Sequence, residues 1–248
     1  MPKITIDFVS DVACPWCAVG LGGLLAAMQR TQGEADVALR MRPFELNPDM
    51  PAGGRNTLER LMEKYGLTRE QVLANRETIL ERAAAVAMPM GKVDAQRSYN
   101  TFDAHRLLQW AGELGQAEQI ALKRALLQTY HEANLDTADP EVLAQAAAQA
   151  GLDAGQAREV LASGRYADEV RAEQAVWRER GITSVPSVVL NGKYLISGGQ
   201  PAEVFEQALR QLAQQAEGRA PARRAGWRFR RAASGRPLRA PRSAGASA

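Results

Sequence analysis

The two cysteines of the chain, Cys14 and Cys17, are separated by only two residues. A pair at this spacing can close a small disulfide-bonded ring, and a thiolate on one member can attack the disulfide of another molecule. A free cysteine with a pKa of about 8.5 supplies only a few per cent of thiolate at neutral pH, so this chemistry needs surroundings that favour the thiolate. The spacing predicts thiol/disulfide exchange, with Cys14 as the nucleophile and Cys17 as the resolving thiol.

The same pair could instead be half of a zinc site, which needs four ligands. His105 and His131 are the remaining candidates, and they lie 26 positions apart rather than the roughly three to five typical of such sites. Two cysteines are also too few for the disulfide framework of a secreted domain. We therefore predict no metal site, and a catalytic or redox-sensing pair in a reducing compartment.

The segments on either side of the pair predict how it is held. Residues 3–9 alternate polar and apolar side chains, several of them β-branched, which is typical of a strand. From Pro15 onward, apolar residues recur at helical spacing, and a proline is tolerated in a first turn because its missing N–H would be unpaired there. Cys14 is therefore expected at a helix N-terminus, where free backbone N–H groups and the helix dipole stabilise a thiolate.

The next elements predict a sheet interrupted by a long helical segment. Residues 37–44 alternate again before a loop rich in proline and glycine, which indicates a second strand that leaves the sheet. Residues 57–180 are helical in pattern almost throughout. Helix starts are marked by Thr68, with a glutamine three positions later, and by Asp139, which precedes a proline.

Strand character returns only near the end of this helical segment. Residues 186–190 and 193–196 are apolar runs on either side of Asn191-Gly192, the strongest short signal for a hairpin. Residues 202–215 then have the apolar stripe of an amphipathic helix. Strand, helix and strand followed later by a hairpin and a helix is the order of elements in a thioredoxin fold.

The charge of the chain is unevenly distributed. Residues 218–248 hold nine arginines and no acidic residue, so residues 1–217 keep 22 basic against 28 acidic side chains. The basic segment has too few large apolar residues to offset the entropy of ordering it, and we predict a disordered tail. Such a tail could bind nucleic acid or an acidic membrane, but a charge run is more often a solvated appendage, so no such binding is predicted.

Composition and segment lengths favour a globular, cytoplasmic protein. The chain is 46% hydrophobic and 24% charged, an ordinary balance for an enzyme. No stretch approaches the roughly 18 to 20 apolar residues that cross a bilayer, and the N-terminus runs directly into the first strand without an apolar signal segment.

Several short motifs occur in an order that matches a known family. They are Phe8-Val9-Ser10-Asp11-Val12 before Cys14-Pro15-Trp16-Cys17, Pro43-Phe44-Glu45-Leu46-Asn47-Pro48, Asn100-Thr101 with Ala104-His105-Arg106, Ile182-Thr183-Ser184-Val185-Pro186, and Gly198-Gly199-Gln200-Pro201. Over about residues 3–215 the chain resembles the DsbA-like oxidoreductases of the FrnE type, which are related to 2-hydroxychromene-2-carboxylate isomerases and kappa-class glutathione transferases.

This resemblance implies an α/β protein with a thioredoxin fold and a large all-helical insertion between the second strand and the cis-proline strand. The DsbA-like domain would span residues 1–217. Its thioredoxin core would comprise about residues 1–50 and 181–217, and the insertion about residues 51–180.

The resemblance also implies a set of binding residues around the cysteine pair. A cis Val185-Pro186 bond would face the Cys14 sulfur, and the Val185 backbone would pair with an extended peptide or with the cysteinyl part of glutathione. The remaining expected substrate or glutathione contacts are Pro15, Trp16, Asn47, Gly199 and Gln200. The isomerase and transferase relatives have a serine in place of Cys14, so the presence of both cysteines favours redox chemistry.

The two histidines are not expected to be central. His105 could act as a proton shuttle or could pack the inserted helices against the active-site rim, and we favour the packing role. Asn100 or Thr101 is expected to cap its helix. His131 lies near the predicted end of a helix, where a positive charge suits the dipole, and is given no catalytic role.

Three functions remain open at this point. The first is a protein-disulfide oxidoreductase or isomerase acting on protein or small-molecule thiols and disulfides. The second is a glutathione-dependent isomerase or transferase acting on a small aromatic or polyketide-like molecule. The third is a redox-sensing or chaperone-like binding module. No bound cofactor is expected, glutathione is a candidate co-substrate, and a homodimer is plausible for the family.

Overall fold

The central sheet combines strands from both ends of the chain. The computed structural model describes residues 1–91, 96–216 and 218 and the backbone of residues 230–231. The strands are β1 (Lys3–Ser10), β2 (Asp36–Pro43), β3 (Arg55–Asn56), β4 (Arg97–Ser98), β5 (Ser187–Leu190), β6 (Tyr194–Ser197) and β7 (Arg230–Arg231). The main sheet has the order β2-β1-β5-β6-β7, and β3 pairs with β4 in a separate small ladder.

Nine helices are present in the described part of the chain. They are α1 (Pro15–Arg30), α2 (Thr57–Tyr65), α3 (Arg69–Ala84), α4 (Phe102–Leu114), α5 (Gln116–His131), α6 (Pro140–Gln149), α7 (Ala154–Ala162), α8 (Ala167–Glu179) and α9 (Ala202–Ala216). Helices α2 to α8 form the insertion between β2 and β5. The predicted fold class, a thioredoxin fold with a large helical insertion, is confirmed.

Strand β1 is an interior strand of the sheet, between β2 and β5. It runs parallel to β2 and antiparallel to β5, so that Phe8 lies opposite both Met41 and Val188. Ile4, Ile6 and Phe8 alternate inward and are buried, because successive side chains of a strand point to opposite faces. Since β1 ends at Ser10, the chain reaches the cysteine pair directly from an interior strand of the sheet.

Helix α1 packs against α9 and against the segment that precedes it. A Cβ atom at Gly20 would lie 3.1 Å from Pro186 Cγ, and one at Gly23 would lie 2.7 Å from the backbone oxygen of Gln200. Real Cβ atoms do not approach a backbone atom as closely as 2.7 Å. Glycines therefore let the helix that carries the cysteines lie directly against two loops of the C-terminal half.

The insertion has its own hydrophobic core. Its largest fully buried side chains are Leu107, Leu122, Leu126 and Leu143. The two predicted helix starts are confirmed: Thr68 forms a reciprocal capping box, and Asp139 accepts a hydrogen bond from the second residue of α6. The short β3–β4 ladder was not predicted, because two residues are too few to show an alternating pattern.

The hairpin at Asn191-Gly192 is confirmed. Leu190 pairs with Tyr194, and both Asn191 and Gly192 have a positive φ, 51° and 63°, as asparagine and glycine tolerate better than other residues. The Asn191 side chain also accepts a hydrogen bond of 2.8 Å from the Thr5 N–H. The hairpin is thereby joined to the start of β1.

The predicted disordered tail, residues 218–248, falls almost entirely outside the described residues. Only Gly218 and the backbone of β7, which pairs with β6, belong to the described part. The disorder of the tail and its lack of nucleic-acid or membrane binding stay predictions. Among the described helices, none has both the length and the apolar character that crossing a membrane requires.

Candidate active site

The cysteine pair lies at the N-terminus of α1, as the sequence predicts. Cys14 is the N-cap residue, and the Cys17 N–H donates a 3.0 Å hydrogen bond to the Cys14 carbonyl oxygen. Both residues are free thiols. Cys14 is 5% exposed and Cys17 is fully buried at 0%. Cys14 is therefore the thiol that an outside molecule can reach, and Cys17 can react only with a partner already attached to Cys14.

The loop before β5 faces Cys14. The Val185-Pro186 peptide bond is cis, and the Cys14 thiol donates to the Val185 carbonyl oxygen at a sulfur–oxygen distance of 3.6 Å. Gly198 supports this loop from the other side, because its N–H donates to the Pro186 carbonyl oxygen at 2.8 Å. The geometry implied by the family resemblance at Val185 and Pro186 is present in the structure.

The segment before α9 completes this surface. A Cβ atom at Gly199 would lie 2.8 Å from the Trp16 carbonyl oxygen, so the backbones of Gly199 and of the cysteine turn are in direct contact. Gln200 turns its side-chain amide back to donate to the Ser197 carbonyl oxygen at 2.9 Å. The structure thus gathers Pro15, Trp16, Val185, Pro186, Gly199 and Gln200 around the mouth of the cysteine pair.

Asn47 lies at a different feature, a cavity of about 420 Å³ beside the loop that follows β2. Its side-chain oxygen accepts hydrogen bonds from Arg60 Nη1 at 3.1 Å and from Lys64 Nζ at 3.4 Å. The cavity is lined by Leu46, Asn47, Pro48, Asp49, Met50, Pro51, Arg55, Arg60, Glu63 and Lys64. Arg60 and Lys64, both from α2, were not singled out from the sequence.

Asp11 joins this loop to the cysteine turn. It is fully buried, and its carboxylate accepts hydrogen bonds from the N–H of Ala13 at 3.1 Å, the N–H of Leu46 at 2.7 Å and the hydroxyl of Thr101 at 2.8 Å. Thr101 therefore does not cap α4 with its side chain; Asn100 accepts a hydrogen bond from the Phe102 N–H instead.

The charge of Asp11 is stabilised in spite of its burial. Burial by itself raises the pKa of the carboxyl, but the neighbouring His105, together with the donors on Leu46 and Thr101, lowers the pKa of Asp11 below its ordinary value. The His105 Nε2–Asp11 Oδ1 distance is 3.6 Å, somewhat longer than an ordinary hydrogen bond. Asp11 is therefore ionised, and its hydrogen bonds connect the cysteine loop to its neighbours. In the sequence it was noticed only as one residue of a family motif.

His105 is buried and directed away from solvent. Its Nε2 lies 3.0 Å from the Phe44 carbonyl oxygen, and because a carbonyl can only accept, Nε2 carries the hydrogen. This contact holds α4 against the end of β2. The placement fits the packing role that the sequence favoured for His105.

Lys123 of α5 is the unexpected member of the site. Its side chain is 0% exposed, and Nζ has no hydrogen-bond partner among the described residues. Burial lowers the pKa of Lys123, and the opposing influences come from Cys17, Asp11 and Cys14. Periodicity could have revealed it, since position 123 falls between Gln119 and Leu126 on the buried stripe of its helix.

Cys17 responds to the same surroundings. Burial and the adjacent Cys14 raise the pKa of Cys17 well above the ordinary value for a thiol, whereas the charge of Lys123 acts to lower it. A resolving thiol must become a thiolate to attack. Lys123 is therefore the basic side chain whose charge favours the reactive form of Cys17.

His131 ends α5, as predicted, but not for the predicted reason. It is buried, and its two ring nitrogens have no hydrogen-bond partner in the described part of the chain. Burial, with the positive charge of Arg76 adding to it, lowers the pKa of His131 to about 3. The ring is neutral at pH 7, so it gains no charge–dipole stabilisation. Its lack of a catalytic role stays a prediction.

The described residues contain no group of three or more histidine, cysteine, aspartate and glutamate side chains placed to hold a metal ion.

The family model of the DSBA-like thioredoxin domain matches residues 5–210. A protein described as a "probable DsbA oxidoreductase" from Streptomyces coelicolor is 36% identical, with a TM-score of 0.75, over 90% of this chain and 94% of the other. The uncharacterized protein YwbO of Bacillus subtilis is 24% identical over 207 residues, which cover 83% of this chain and 96% of YwbO.

A likeness in fold alone extends to a more distant structure. The cytosolic disulfide reductase DsbM from Pseudomonas aeruginosa, determined with GSH, has a TM-score of 0.55 at 18% identity, over 83% of this chain and 96% of DsbM. The family match spans both halves of the thioredoxin core and the insertion between them. This chain therefore belongs to the family of DSBA-like thioredoxin domains, the DsbA-like thiol oxidoreductases.

Proposed function

We propose that this protein is a thiol/disulfide oxidoreductase that acts through Cys14 and Cys17. The observation that carries the proposal is the arrangement of Cys14, which keeps 5% of its surface exposed, a fully buried Cys17, and the Val185 carbonyl oxygen 3.6 Å from the Cys14 sulfur. A substrate sulfur joined to Cys14 would bring its own backbone beside Val185. That surface suits an extended peptide or a small cysteinyl peptide.

The reaction proceeds in two exchanges. The Cys14 thiolate attacks one sulfur of a substrate disulfide, a mixed disulfide forms, and the other substrate sulfur leaves as a thiolate. The Cys17 thiolate then attacks the Cys14 sulfur, which releases the second substrate thiolate and leaves a Cys14–Cys17 disulfide. Substrate is reduced and protein is oxidised by two electrons, and the reverse sequence oxidises a dithiol.

The first test is an equilibrium titration of the full chain against graded ratios of reduced and oxidised glutathione, read by alkylation and intact mass. We expect Cys14 and Cys17 to lose their reactivity together at one two-electron midpoint. Cys14→Ser should abolish turnover, and Cys17→Ala should accumulate a covalent adduct at Cys14. Turnover at the wild-type rate in Cys14→Ser would refute the assignment.

Glutathione is our candidate for the physiological thiol. The observation that favours it is the cavity at Asn47, where Arg60 and Lys64 supply two positive charges beside the loop that Asp11 joins to the cysteine turn. Glutathione carries two carboxylates, which such cations bind well. The fold relative DsbM is named as a cytosolic disulfide reductase with GSH, and we propose the cytosol for this protein as well.

Two other functions are distinguished by the same variants. A glutathione-dependent isomerase or transferase would retain activity in Cys17→Ala and would shift the thiol pKa of bound glutathione. A binding module without catalysis would hold its clients even when both cysteines are serine. Either result would replace the oxidoreductase proposal.

A further inference from the structure

Two arginines at the C-terminal end of α8 lack an acidic partner. Arg178 and Arg180 are exposed, and neither forms an ion pair with any residue that the structure describes. Arg42 is paired instead, with Asp7 and with Glu173 of the same helix, each at 2.7 Å. The chain before residue 218 has more acidic than basic side chains, so two neighbouring cations without a carboxylate are unusual on this surface.

Aromatic rings hold both guanidinium groups in place. Arg178 Cζ lies 5.8 Å from the centroid of the Phe44 ring, and Arg180 Cζ lies 5.0 Å from that of the Trp177 ring. A guanidinium over an aromatic face is attracted by the ring and keeps its N–H donors free at its edge. Both arginines are thus restrained while their donors stay available, and a carboxylate is the group that fits such donors best.

The rings under the arginines belong to the cluster on which the cis-proline loop packs. Val185 contacts the small cluster formed by Val9, Phe44, Trp177, Ile182 and Val189. The Val185 carbonyl oxygen also lies 3.6 Å from the Cys14 sulfur. A chain of contacts therefore runs from the reactive thiol through Val185 and the aromatic rings to the two guanidinium groups.

The acidic side chains close to this end of α8 are engaged or face elsewhere. Glu173 is bound by Arg42, and Glu45 accepts a hydrogen bond of 3.1 Å from the Gln174 side chain. Glu179 lies between the two arginines in the sequence, and adjacent positions of a helix do not face each other. The guanidinium groups therefore remain available to a carboxylate from outside.

The loop between α8 and β5 keeps the arginines close to the place of a bound substrate. Five positions separate Arg180 from Val185, so their Cα atoms are at most about 18 Å apart. The Ile182 N–H donates to the Trp177 carbonyl oxygen at 3.0 Å, which folds this loop back onto the end of the helix. An extended peptide advances about 3.3 Å per residue, so residues two to four positions from the substrate cysteine cover about 7 to 13 Å.

We propose that Arg178 and Arg180 form a docking surface for acidic residues that flank the reactive cysteine of a protein substrate. The partner is an extended segment with aspartate or glutamate two to four positions from a disulfide-bonded cysteine. While that cysteine is joined to Cys14, the neighbouring carboxylates accept charge-assisted hydrogen bonds from the guanidinium groups. The inference rests on the proposed oxidoreductase function and names the class of its substrate.

The test uses two short peptides that differ only in charge. Each has blocked ends and one central cysteine, held as a mixed disulfide with 5-thio-2-nitrobenzoate. The acidic peptide has glutamate two and three positions from the cysteine on both sides, and the neutral peptide has glutamine there. Attack by the Cys14 thiolate on the peptide sulfur releases the coloured nitrothiolate, so stopped flow gives a rate constant for each peptide.

We expect the wild-type chain to react about 10-fold faster with the acidic peptide at low salt, and the ratio of the two rates to fall as salt screens the charges. A chain with both Arg178→Gln and Arg180→Gln should give a ratio near one. Because the ratio compares two substrates on the same chain, it does not depend on how much of the variant is folded.

The matched control combines Arg165→Gln with Arg171→Gln. These arginines are also exposed and also lie over aromatic rings, at 5.0 Å from the Tyr166 centroid and 4.6 Å from that of Phe102. Their rings belong to the hydrophobic core of the insertion and not to the cluster beneath Val185. The control removes the same charge and should keep the wild-type ratio.

The remaining outcomes separate this inference from the proposed function. A wild-type ratio near one, an unchanged ratio in the Arg178 and Arg180 variant, or an equal drop in the control would overturn the docking surface alone. So would a loss in that variant confined to oxidised glutathione, which would assign the arginines to glutathione. If the wild-type chain released no nitrothiolate from either peptide, attack by Cys14 would be refuted, and with it the proposed function.

Discussion

At the scale of single residues, the site contains two buried ionisable side chains, Asp11 and Lys123, which differ in their hydrogen bonding. Asp11 has its carboxylate satisfied by three donors, whereas Lys123 has no hydrogen-bond partner among the described residues. A satisfied buried charge stabilises the loops that it joins, whereas an unsatisfied one carries a desolvation cost. Asp11 therefore positions the cysteine turn, and the charge of Lys123 acts to lower the pKa of Cys17.

Asp11→Asn should destabilise the protein by about 3 kcal/mol at pH 7, because an amide places a donor where the carboxylate accepts hydrogen bonds. The pKa of Asp11 is lower in the folded state than its ordinary value, so its stabilisation is fully present above the unfolded pKa of about 4. It is lost as the pH falls through the folded pKa. The difference in the free energy of unfolding between the wild-type chain and Asp11→Asn should therefore become smaller in acid.

The measurement is urea unfolding of both chains between pH 3 and pH 7. The control is Glu141→Gln, the same change of carboxylate to amide at an exposed ion pair with Arg158, which should alter stability little at any of these pH values. A difference between wild type and Asp11→Asn that does not depend on pH would contradict the ionised state of Asp11.

At the scale of elements, the site is a contact between one helix and two loops. On helix α1, Gly20 faces Pro186 and Gly23 faces the backbone of Gln200. The helix that carries the cysteines therefore lies very close to the cis-proline loop and to the segment before α9. Adding even one methyl group to such a contact should destabilise the protein, because the close-packed interior has no free space for it. The spacing between Cys14 and Val185 is thus set by glycines along the helix.

Gly23→Ala tests this close approach. Alanine in the middle of a helix normally gains up to about 1 kcal/mol over glycine, but here its Cβ would lie 2.7 Å from the Gln200 carbonyl oxygen. We expect a net loss of about 1 to 3 kcal/mol and slower attack by Cys14 on a coloured disulfide. The control is Gly155→Ala in the exposed first turn of α7, where the new Cβ would meet no backbone atom but only the Asp153 side-chain oxygen at 3.0 Å; thermal unfolding should show little change in stability. Higher stability in Gly23→Ala would contradict the packing described.

At the scale of the whole molecule, the thioredoxin core supplies the thiols and the insertion supplies their surroundings. The insertion provides Thr101 and His105 to Asp11, Lys123 to the cysteine pair, and Arg60 and Lys64 to the cavity at Asn47. The small cluster of Val9, Phe44, Trp177, Ile182 and Val189 joins the two parts at the end of the sheet. The redox properties of this protein are therefore expected to depend on the insertion.

Arg60→Gln tests the role of the insertion in glutathione use. Removing the cation should raise the KM for glutathione by roughly 10-fold, because a carboxylate loses a charged donor. The rate with 2-mercaptoethanol, which has no carboxylate, should be unchanged. Arg82→Gln removes the same charge from an exposed position of α3 and should affect neither thiol. Equal losses with both thiols in Arg60→Gln would point to a disturbed fold instead of a lost contact.

The sequence alone determined the features that depend on local pattern. The Cys14–Cys17 spacing, the strand alternation before it, the capping box at Thr68 and the turn at Asn191-Gly192 are each encoded within a few residues. The order of these elements was enough to predict a thioredoxin fold with a helical insertion. The resemblance added the surface around Val185 and Gly199.

Only the tertiary structure decided which distant polar groups share the space beneath the cysteines. Lys123 lies more than a hundred positions from Cys17. Asp11 meets Leu46 within the core and Thr101 across the boundary between the core and the insertion. Their charge states follow from burial and from neighbours brought together by packing, which no local pattern contains. For the same reason His131 is neutral at its helix end, although a solvent-exposed histidine there would be stabilised as a cation.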